Sequence, residues 1–410
     1  MTPEIIQENL NTVWILVAAA LVFFMQAGFA MLESGMVRSK NSINVIMKNY
    51  TDMCFGAIVF WVLGYGLMYG TANLSGFLGV AGIFGTDNFM LREADGGTWA
   101  ILFFQMMFAA TAATIVSGAL AERIRFVPYL FAAMMITGVI YPIFGCWVWN
   151  EGGWLNELGF VDFAGSTAVH SVGGWCALAG VMVLGPRLGK YGEDGESREI
   201  GGHNLPLVAF GGLILWLGWF GFNGGSTLEA NSSIGRICLN THLSGAAGVV
   251  GFIIARVLFG GKLLMTQTVN GGLAGLVAVT AGCATMDPGF AIATGLIAGV
   301  VCVVATSLCE PLKLDDAVGA IAVHGMCGVW GTLAAGMFYE GDLMNFARIQ
   351  TQLIGIAAAF AWVFPVAWLT FKSISAVVNL RCSSMDEQRG LDYSEHHEVG
   401  YPEFQAQMHS

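Results

Sequence analysis

Charged residues are what this sequence has least of. Only 11% of its 410 residues are Asp, Glu, Lys or Arg, whereas an ordinary soluble domain carries about 25%. With 56% hydrophobic residues and a mean hydropathy of +0.67, a soluble protein of this length would lack the polar side chains to cover its surface. The composition therefore argues against a soluble fold and predicts a membrane protein.

Several chemical signatures are missing as well. No basic run is present and the net charge is −11, which argues against a nucleic-acid partner. The nine cysteines form no CxxC pair and fall mostly in apolar runs, so we interpret them as packing residues. No phosphate loop or nucleophile motif is found, so we expect neither an enzyme nor a bound cofactor. The N-terminus lacks the basic segment of a cleaved signal peptide, which predicts that the first apolar run is retained.

The sequence does contain long apolar runs. About 20 apolar residues cross a bilayer as a helix, whereas a membrane barrel needs short alternating strands. The runs predict an all-α polytopic membrane protein with eleven transmembrane helices. They cover roughly 10–37, 50–70, 99–121, 127–149, 163–184, 203–222, 232–258, 267–284, 289–309, 317–338 and 346–375.

Basic residues are distributed unevenly between alternate loops. With the N-terminus outside, fourteen of the 17 Lys and Arg residues fall on the inner side, and Arg92, Arg236 and Arg348 fall on the outer side. The positive-inside rule therefore predicts an external N-terminus and a cytoplasmic C-terminus. We expect a transmembrane domain over 1–380 and a polar cytoplasmic tail over 381–410.

One ionisable pattern occurs twice. His170 and His324 lie 154 residues apart, in the similar segments AVHSVGGW and AVHGMCGVWG. Each has an Asp eight residues before it and a Gly four residues after it: Asp162 and Gly174, then Asp316 and Gly328. Since each half contains five helices, the second half must be inverted relative to the first. We predict repeat A over about 10–184, repeat B over about 203–338, and one extra helix over about 346–375.

Three interpretations of the histidine pair are open from the residues alone. Each histidine can be a buried side chain satisfied by a backbone carbonyl. Together they can ligate a metal, although neither HxxxH nor HExxH is present and no metal site is predicted. The third interpretation is a neutral pair that lines a narrow path and handles protons. Ionisable groups in membrane segments are costly and usually functional, and a duplicated pair favours this third interpretation.

Aromatic and acidic residues near the predicted helix ends are further candidates. Trp149 ends the fourth run on the outer side, and Phe108 and Phe222 lie within apolar segments. Most such rings pack against neighbours or lipid, but a ring at a pore mouth attracts a cation by roughly 0.5–2 kcal/mol. Asp162 precedes the fifth run, where an Asp is favoured as a helix cap. Such a cap can also orient backbone carbonyls toward a substrate.

Several motifs together resemble the ammonium transporter (Amt/MEP/Rh) family, and specifically its Amt branch. The resemblance covers nearly the whole chain. The matching segments are GMVRSKN, GALAERIRF, DFAGSTAVHSVGG, GWFGFNGGS, DDAVGAIAVHG and GLDYSEHHEVGYPEF. It implies transport of ammonium or ammonia by a homotrimer with one pore per subunit. It also implies a PII-type regulator of the GlnK kind at the cytoplasmic face.

The resemblance also implies roles for single residues. His170 and His324 match the twin histidines of the family's pore. The stacked pair that closes the pore from outside is matched by Phe108 and Phe222. The remaining matches are as follows: Trp149 and Ser226, with the Phe108 ring, in the external recruitment site; Asp162 as structural support of that site; Trp219 as a pore-lining residue; and, more weakly, Thr280 near the pore.

One departure from the family pattern concerns the outer vestibule. The linker between Trp149 and Asp162 is longer than usual, and it places Trp154 where that ring can compete with Trp149 for the cation. The sequence leaves open whether transport is electrogenic or is passive conduction of ammonia. An ammonium sensor with little transport, or a passive Rh-like channel, are the alternative functions. The absence of organelle-targeting signals leads us to expect a bacterial inner membrane.

Overall fold

The computed structural model describes residues 2–70, 72–73, 76–79 and 96–405, and eleven helices of this part form the body of the protein. Nine of them are long and apolar enough to cross a membrane, and the other two are shorter. The helices are α1 Pro3–Met36, α2 Ser39–Tyr69, α3 Gly96–Ala119, α4 Phe126–Glu157, α5 Ser166–Leu184, α6 Leu205–Gly225, α7 Ser233–Leu258, α8 Met265–Val279, α9 Pro288–Cys309, α10 Ile321–Met337 and α11 Phe346–Val377. The predicted all-α polytopic fold class is confirmed. The strands β1 (Ala72–Asn73) and β2 (Leu78–Gly79) form a small antiparallel pair.

Two helices begin earlier than their apolar runs. The first starts at Pro3 rather than near residue 10, because Thr2 caps it through a hydrogen bond from the Ile5 amide. The second starts near Ser39 rather than near residue 50. Its first turns contain buried polar residues, such as Asn44 and Lys48, that find partners in neighbouring helices. Because the prediction relied on hydropathy alone, it made both helices shorter than they are in the structure.

The packing of α1 against α6 shows that the two halves are inverted. Gly35, near the end of α1, lies against Val208, near the start of α6. Gly225, at the other end of α6, lies against Ala18 in α1. The first helices of the two halves are therefore antiparallel. Small residues at these crossings let the backbones approach closely, as is common between membrane helices.

The two histidine segments have matching local structure. Each histidine lies in a π-helical turn, Ser166–Ser171 at the start of α5 and Ile321–Met326 at the start of α10. Each turn follows a glycine with a left-handed backbone, Gly165 at φ 109° and Gly319 at φ 86°. Single π turns inside α-helices occur mostly at functional positions. The duplicated sequence pattern thus reflects a duplicated structure.

The loops predicted to be internal meet at one end of the bundle. There the C-terminal tail folds back as two short helices, α12 (Ser384–Arg389) and α13 (Leu391–His396). The amides of Arg125 and Leu391 bond to Leu380 and Asn41 across this end. Arg236 and Arg348 lie at the opposite end, in ion pairs with Glu340 and Asp342. The predicted segregation of basic residues is thus seen in the described residues, whereas Arg92 falls outside them.

The division into a domain over 1–380 and a tail over 381–410 stays a prediction. A continuous apolar core joins most helices of the bundle, and the tail contacts the start of α2 through hydrogen bonds to Asn41 and Asn44. All nine cysteines lie in the described residues and none forms a disulfide, and Cys146, Cys176, Cys283, Cys302, Cys327 and Cys382 are buried. Their burial agrees with the interpretation of cysteine as a small packing residue.

Candidate functional site

The two histidines meet at the centre of the bundle. The Nδ1 atoms of His170 and His324 lie 3.2 Å apart, at hydrogen-bond distance. Their rings are 0% and 5% exposed. Because one Nδ1 must donate and the other accept, this contact suits two neutral imidazoles rather than two imidazolium ions. The structure therefore brings together the pair that the sequence duplicates.

Two glycines allow the histidine turns to approach each other. A side chain at Gly174 would overlap the backbone of Gly325, and one at Gly328 would overlap Ser166 and Ser171. At each of these positions, the absence of a side chain leaves room for the π turn of the opposite repeat. The spacing of four residues after each histidine is the sequence signal for this close contact.

A column of aromatic rings continues from His170 toward the outer end. Phe222 lies 5.3 Å from His170 between ring centroids, in a stacked arrangement. Phe108 stacks on Phe222 at 4.0 Å, and Trp149 meets the edge of Phe108 at 6.3 Å. Phe108 and Phe222 are buried, and Trp149 is partly exposed. The rings separate the histidines from the outer surface by two apolar layers.

The outer mouth is held by hydrogen bonds around Asp162. The Trp149 indole N–H donates to the Asp162 carbonyl at 2.8 Å. The Asp162 carboxylate accepts from the amides of Gly165, Thr167 and Ala168 at 2.8–3.0 Å. Asp162 is therefore a cap of the α5 turn that also positions Trp149. In the second repeat, Asp316 caps α10 in the same way, through the amides of Gly319 and Ile321.

The other candidates at the outer mouth differ in their placement. Ser226 lies one turn after Phe222, and its hydroxyl donates to the Phe222 carbonyl at 2.8 Å, which leaves its oxygen free to accept from a cation. Trp154 lies elsewhere, stacked on Phe77 and beside Trp147, each at 5.6 Å. The longer linker therefore packs Trp154 into an aromatic cluster of its own and does not place it beside Phe108.

Trp219 and Thr280 form the wall beside the histidine pair. Trp219 stacks on His170 at 5.0 Å between ring centroids. Its indole N–H donates to the Thr280 hydroxyl at 2.9 Å, and that hydroxyl donates to the Leu276 carbonyl. All of these groups are satisfied and buried. Thr280 thus orients Trp219 rather than facing the column of rings itself.

One buried polar atom of the pair lacks a partner. The His170 Nε2 has no hydrogen bond within the part of the chain that the structure describes. An unsatisfied buried polar atom costs roughly 1–3 kcal/mol. A small hydrogen-bonding molecule passing the ring would satisfy it. The free Nε2 atom thus argues against the interpretation in which His170 is a buried side chain whose hydrogen bonds are satisfied by the backbone.

A cavity opens on the inner side of His324. Phe29, Leu32, Ile115, Leu273, Val323 and His324 form most of its wall. Its remaining lining includes Glu33 and Asn270. The cavity continues the line of the rings toward the end of the bundle where the tail docks. Glu33 is a lining residue that no sequence pattern indicated.

An ionic network that sequence reasoning missed closes the inner end. Arg187 pairs with Asp315 at 2.8 Å and with Glu122 at 3.0 Å, and Glu122 also pairs with Arg38. The side chains of Arg187, Glu122 and Asp315 are at most 4% exposed. Burial raises the pKa of Asp315, but hydrogen bonds from Arg187 and the nearby arginine charges outweigh it and hold this pKa well below its usual range. Asp315 is therefore an ion-pair partner.

Within the described residues, no cluster of three or more His, Cys, Asp and Glu side chains is arranged to hold a metal. The site is instead a line of rings with a polar atom at its centre and a partly polar cavity on its inner side. Such a line, inside an inverted repeat of membrane helices, defines the class: a multi-pass membrane transporter or channel.

Comparison with known proteins identifies the family. The sequence profile described as Ammonium Transporter Family matches residues 13–401. The chain therefore belongs to the ammonium transporter family, and it is a multi-pass membrane protein rather than an enzyme. The resemblance noted in the motifs is confirmed.

Individual relatives agree with this assignment. The chain is 43% identical to ammonium transporter Amt2 of Archaeoglobus fulgidus, over 98% of this chain and 91% of that protein. It is 38% identical to ammonium transporter Amt1 of Haloferax mediterranei, over 98% and 81%. Among solved structures, a sensor Amt protein superimposes with a TM-score of 0.92 at 40% identity, over 96% of this chain and 100% of that one. Mep2 of Saccharomyces cerevisiae gives 0.82 at 27%, over 91% and 87%.

Proposed function

We propose that this transporter separates ammonium into ammonia and a proton, and that both cross the membrane at the histidine pair. The observation that carries the proposal is the 3.2 Å contact between the Nδ1 atoms of His170 and His324 in a buried, neutral environment. A hydrogen-bonded pair of neutral imidazoles can accept a proton on one ring while releasing one from the other.

The outer mouth recruits the cation. The faces of Trp149 and Phe108 attract it through their π electrons, and the Ser226 oxygen accepts a hydrogen bond from it. Asp162 acts indirectly, because it holds Trp149 through its carbonyl and the α5 turn through its carboxylate. It is therefore a positioning residue.

The stacked phenylalanines provide selectivity. An ion pays several kcal/mol to enter an apolar segment of a membrane protein, and the Phe108–Phe222 pair excludes the water that would hydrate it. Potassium has the charge and nearly the size of ammonium, but it has no proton to release. Ammonium can cross as neutral ammonia, which then bonds to the unpaired His170 Nε2.

The proton crosses separately and makes transport electrogenic. It passes from His170 to His324 through their shared hydrogen bond, while ammonia passes the same rings. Trp219, oriented by Thr280, forms the wall that keeps the His170 ring in place. We also propose, from family membership, a homotrimer in a bacterial inner membrane with a PII-type regulator at the docked tail.

The test is a current measurement on purified protein in liposomes on a solid-supported membrane. An ammonium pulse is expected to give a saturable transient current, and a potassium pulse none. The double variant His170→Ala/His324→Ala is expected to lose that current, whereas the matched control His242→Ala, which changes an exposed histidine on α7, retains it. Unaltered ammonium selectivity and current in the double variant would refute the histidine relay.

A second function, ammonium sensing, is favoured by one observation. The structure that superimposes with a TM-score of 0.92 is titled a sensor Amt protein. If this chain mainly senses ammonium, it will fail to restore growth of a transport-deficient host on low ammonium, and the purified protein will give neither current nor internal alkalinisation. Either signal assigns transport as its main activity.

A further inference from the structure

The inner cavity contains an ionisable group that the proposed mechanism has not used. Glu33, in α1, is 1% exposed and lines the cavity that begins at His324. Of the residues that line this cavity, His324 and Glu33 are the two with ionisable side chains. A proton that leaves His324 on the inner side thus enters a space whose other ionisable group is the Glu33 carboxyl group.

The neighbours of Glu33 form a buried charge cluster. Its Oε2 accepts a hydrogen bond from Asn49 at 3.1 Å. The charged groups of Lys48 and Asp52, both in α2, lie close enough to interact with it electrostatically. The Lys48 ammonium donates to the Ser117 carbonyl in α3 at 3.0 Å and lies 5.3 Å from the Tyr129 ring centroid. Two further charged residues lie closer to the inner end. Arg123 donates to backbone carbonyls, and Glu122 forms ion pairs with Arg38 and Arg187.

The cluster holds two carboxylates and one ammonium group, all buried. A net negative charge in such a place is expensive, so two carboxylates beside one cation favour one retained proton. Asp52 accepts from the hydroxyls of Tyr129 and Thr114, which stabilise it as a carboxylate. The retained proton therefore belongs on Glu33, whose Oε2 accepts from the Asn49 amide.

The other carboxylates near the inner end are committed elsewhere. Asp316 accepts from the amides of Gly319 and Ile321, as the cap of α10. Asp315 is held by Arg187. Neither of them lines the cavity with His324. The Glu33 carboxyl group occupies the room left by Gly118, because a side chain at that glycine would overlap the Oε1 atom.

We propose that Glu33 is the exit-side proton carrier, which takes the proton from the histidine pair and returns it to ammonia in the inner cavity. The inference deepens and rests on the proposed proton relay. In the step, ammonia in the inner cavity removes the retained proton from the Glu33 carboxyl group, and ammonium re-forms. The His324 ring then transfers a proton to the Glu33 carboxylate, which returns Glu33 to its protonated starting state, and the cation leaves toward the cytoplasm.

The experiment compares Glu33→Gln with Asp52→Asn in the same liposomes. Both variants replace a buried carboxylate of one cluster by its amide, but Asp52 does not line the cavity. Two quantities are recorded after an ammonium pulse: the transient current and the internal alkalinisation caused by entry of uncharged ammonia. Positioned proton-transfer groups contribute roughly 100-fold or more. We expect Glu33→Gln to lose the current by about that factor while alkalinisation continues, and Asp52→Asn to retain the current.

Other results overturn the inference. A Glu33→Gln protein that keeps its current does not use Glu33 as carrier, and a folded one that loses both signals has lost the path itself. If Glu33→Gln does not fold, Glu33→Asp decides: a shifted pH profile of the current supports the carrier, and an unchanged profile refutes it. A wild-type protein that alkalinises liposomes without any current would instead refute the relay, so the two failures are distinguishable.

Discussion

The outer half of the proposed substrate path and the inner end of the bundle differ in the way they accommodate charge. Between Trp149 and His324 the path consists of rings, with no fixed charge among them. At the inner end Arg187, Glu122 and Asp315 are buried yet fully paired. The comparison teaches that this protein contains buried ions where they compensate one another, and has no such ions among the rings that exclude potassium in the proposed mechanism.

Breaking the paired end is expected to have the largest effect on stability. Arg187→Met removes the ion-pair partner of Asp315 and one of the two partners of Glu122, and an uncompensated buried charge costs about 3–5 kcal/mol. Thermal unfolding in detergent, followed by size-exclusion chromatography, would show the loss. Adding Asp315→Leu to this variant should recover part of it, because one stranded charge is removed. A double variant that is as unstable as the sum of the single changes would contradict the pairing argument.

The cap at the outer mouth comes next. Asp162→Asn replaces a carboxylate that accepts three amide N–H bonds by a group with one accepting oxygen. We expect a loss of about 2–3 kcal/mol, since hydrogen bonds to charged groups contribute about 1.5–3 kcal/mol each. Ammonium uptake should fall further than in Asp316→Asn, the equivalent cap in the second repeat, because only Asp162 positions Trp149. Equal uptake in the two variants would remove that role from Asp162.

The next prediction concerns the close contact between the two repeats at Gly328. Gly328→Ala places a methyl group against Ser166 and Ser171, beside His170. Overpacking of this kind costs about 1–3 kcal/mol. Gly235→Ala, in α7, is the matched control, because a methyl group there meets open space. Chemical denaturation of both variants measures the difference, and equal stability would mean that the repeats have room to separate.

The smallest effect concerns the docked tail. The His396 Nε2 accepts from the Asn44 amide at 3.1 Å, and a protonated ring could not accept this bond. Burial lowers the pKa of His396. The neutral ring is therefore favoured in the docked tail, and the stability of docking should fall as the pH drops below the ordinary histidine value of about 6.5. The protection of residues 384–396 against hydrogen exchange, relative to the intrinsic exchange rate at each pH, should be lower at pH 5.5 than at pH 7.5.

The control for the tail is His396→Gln, whose amide can still accept from Asn44 but does not titrate in this range. The loss of protection between pH 7.5 and pH 5.5 should be smaller in this variant than in the wild type. An equal loss in both proteins would assign the pH response to another group, such as the neighbouring Asp392, which accepts from the Asn44 backbone amide.

Much of the fold and of the central site could be predicted from the sequence, because both depend on patterns that are local or duplicated. The apolar runs, the inverted halves and the contact of His170 with His324 are of this kind. The early start of α2 could not be predicted. Its polar residues, such as Lys48 and Asn49, reduce hydropathy, and their partners in α1 and α3 are known only once the chain folds.

The inner end was hidden for the same reason. Arg187 lies 65 residues from Glu122 and 128 residues from Asp315 in the sequence, and no local pattern indicates that the three form one network. The docked tail was predicted only as a polar segment. Its helices are short, and its position depends on single contacts such as that of Leu391 with Asn41. Trp154 shows the reverse case, in which an attractive local signal belongs to a separate aromatic cluster.

The central claim is that ammonia and the proton both cross at the histidine pair, and it is tested most directly by counting charge and ammonium together. Current and ammonium uptake would be measured on the same liposomes, with potassium in large excess outside. The account predicts one charge for each ammonium taken up, unchanged by the potassium. A ratio near zero would contradict it by showing that ammonia crosses alone, and potassium entry would contradict it by showing that intact cations pass.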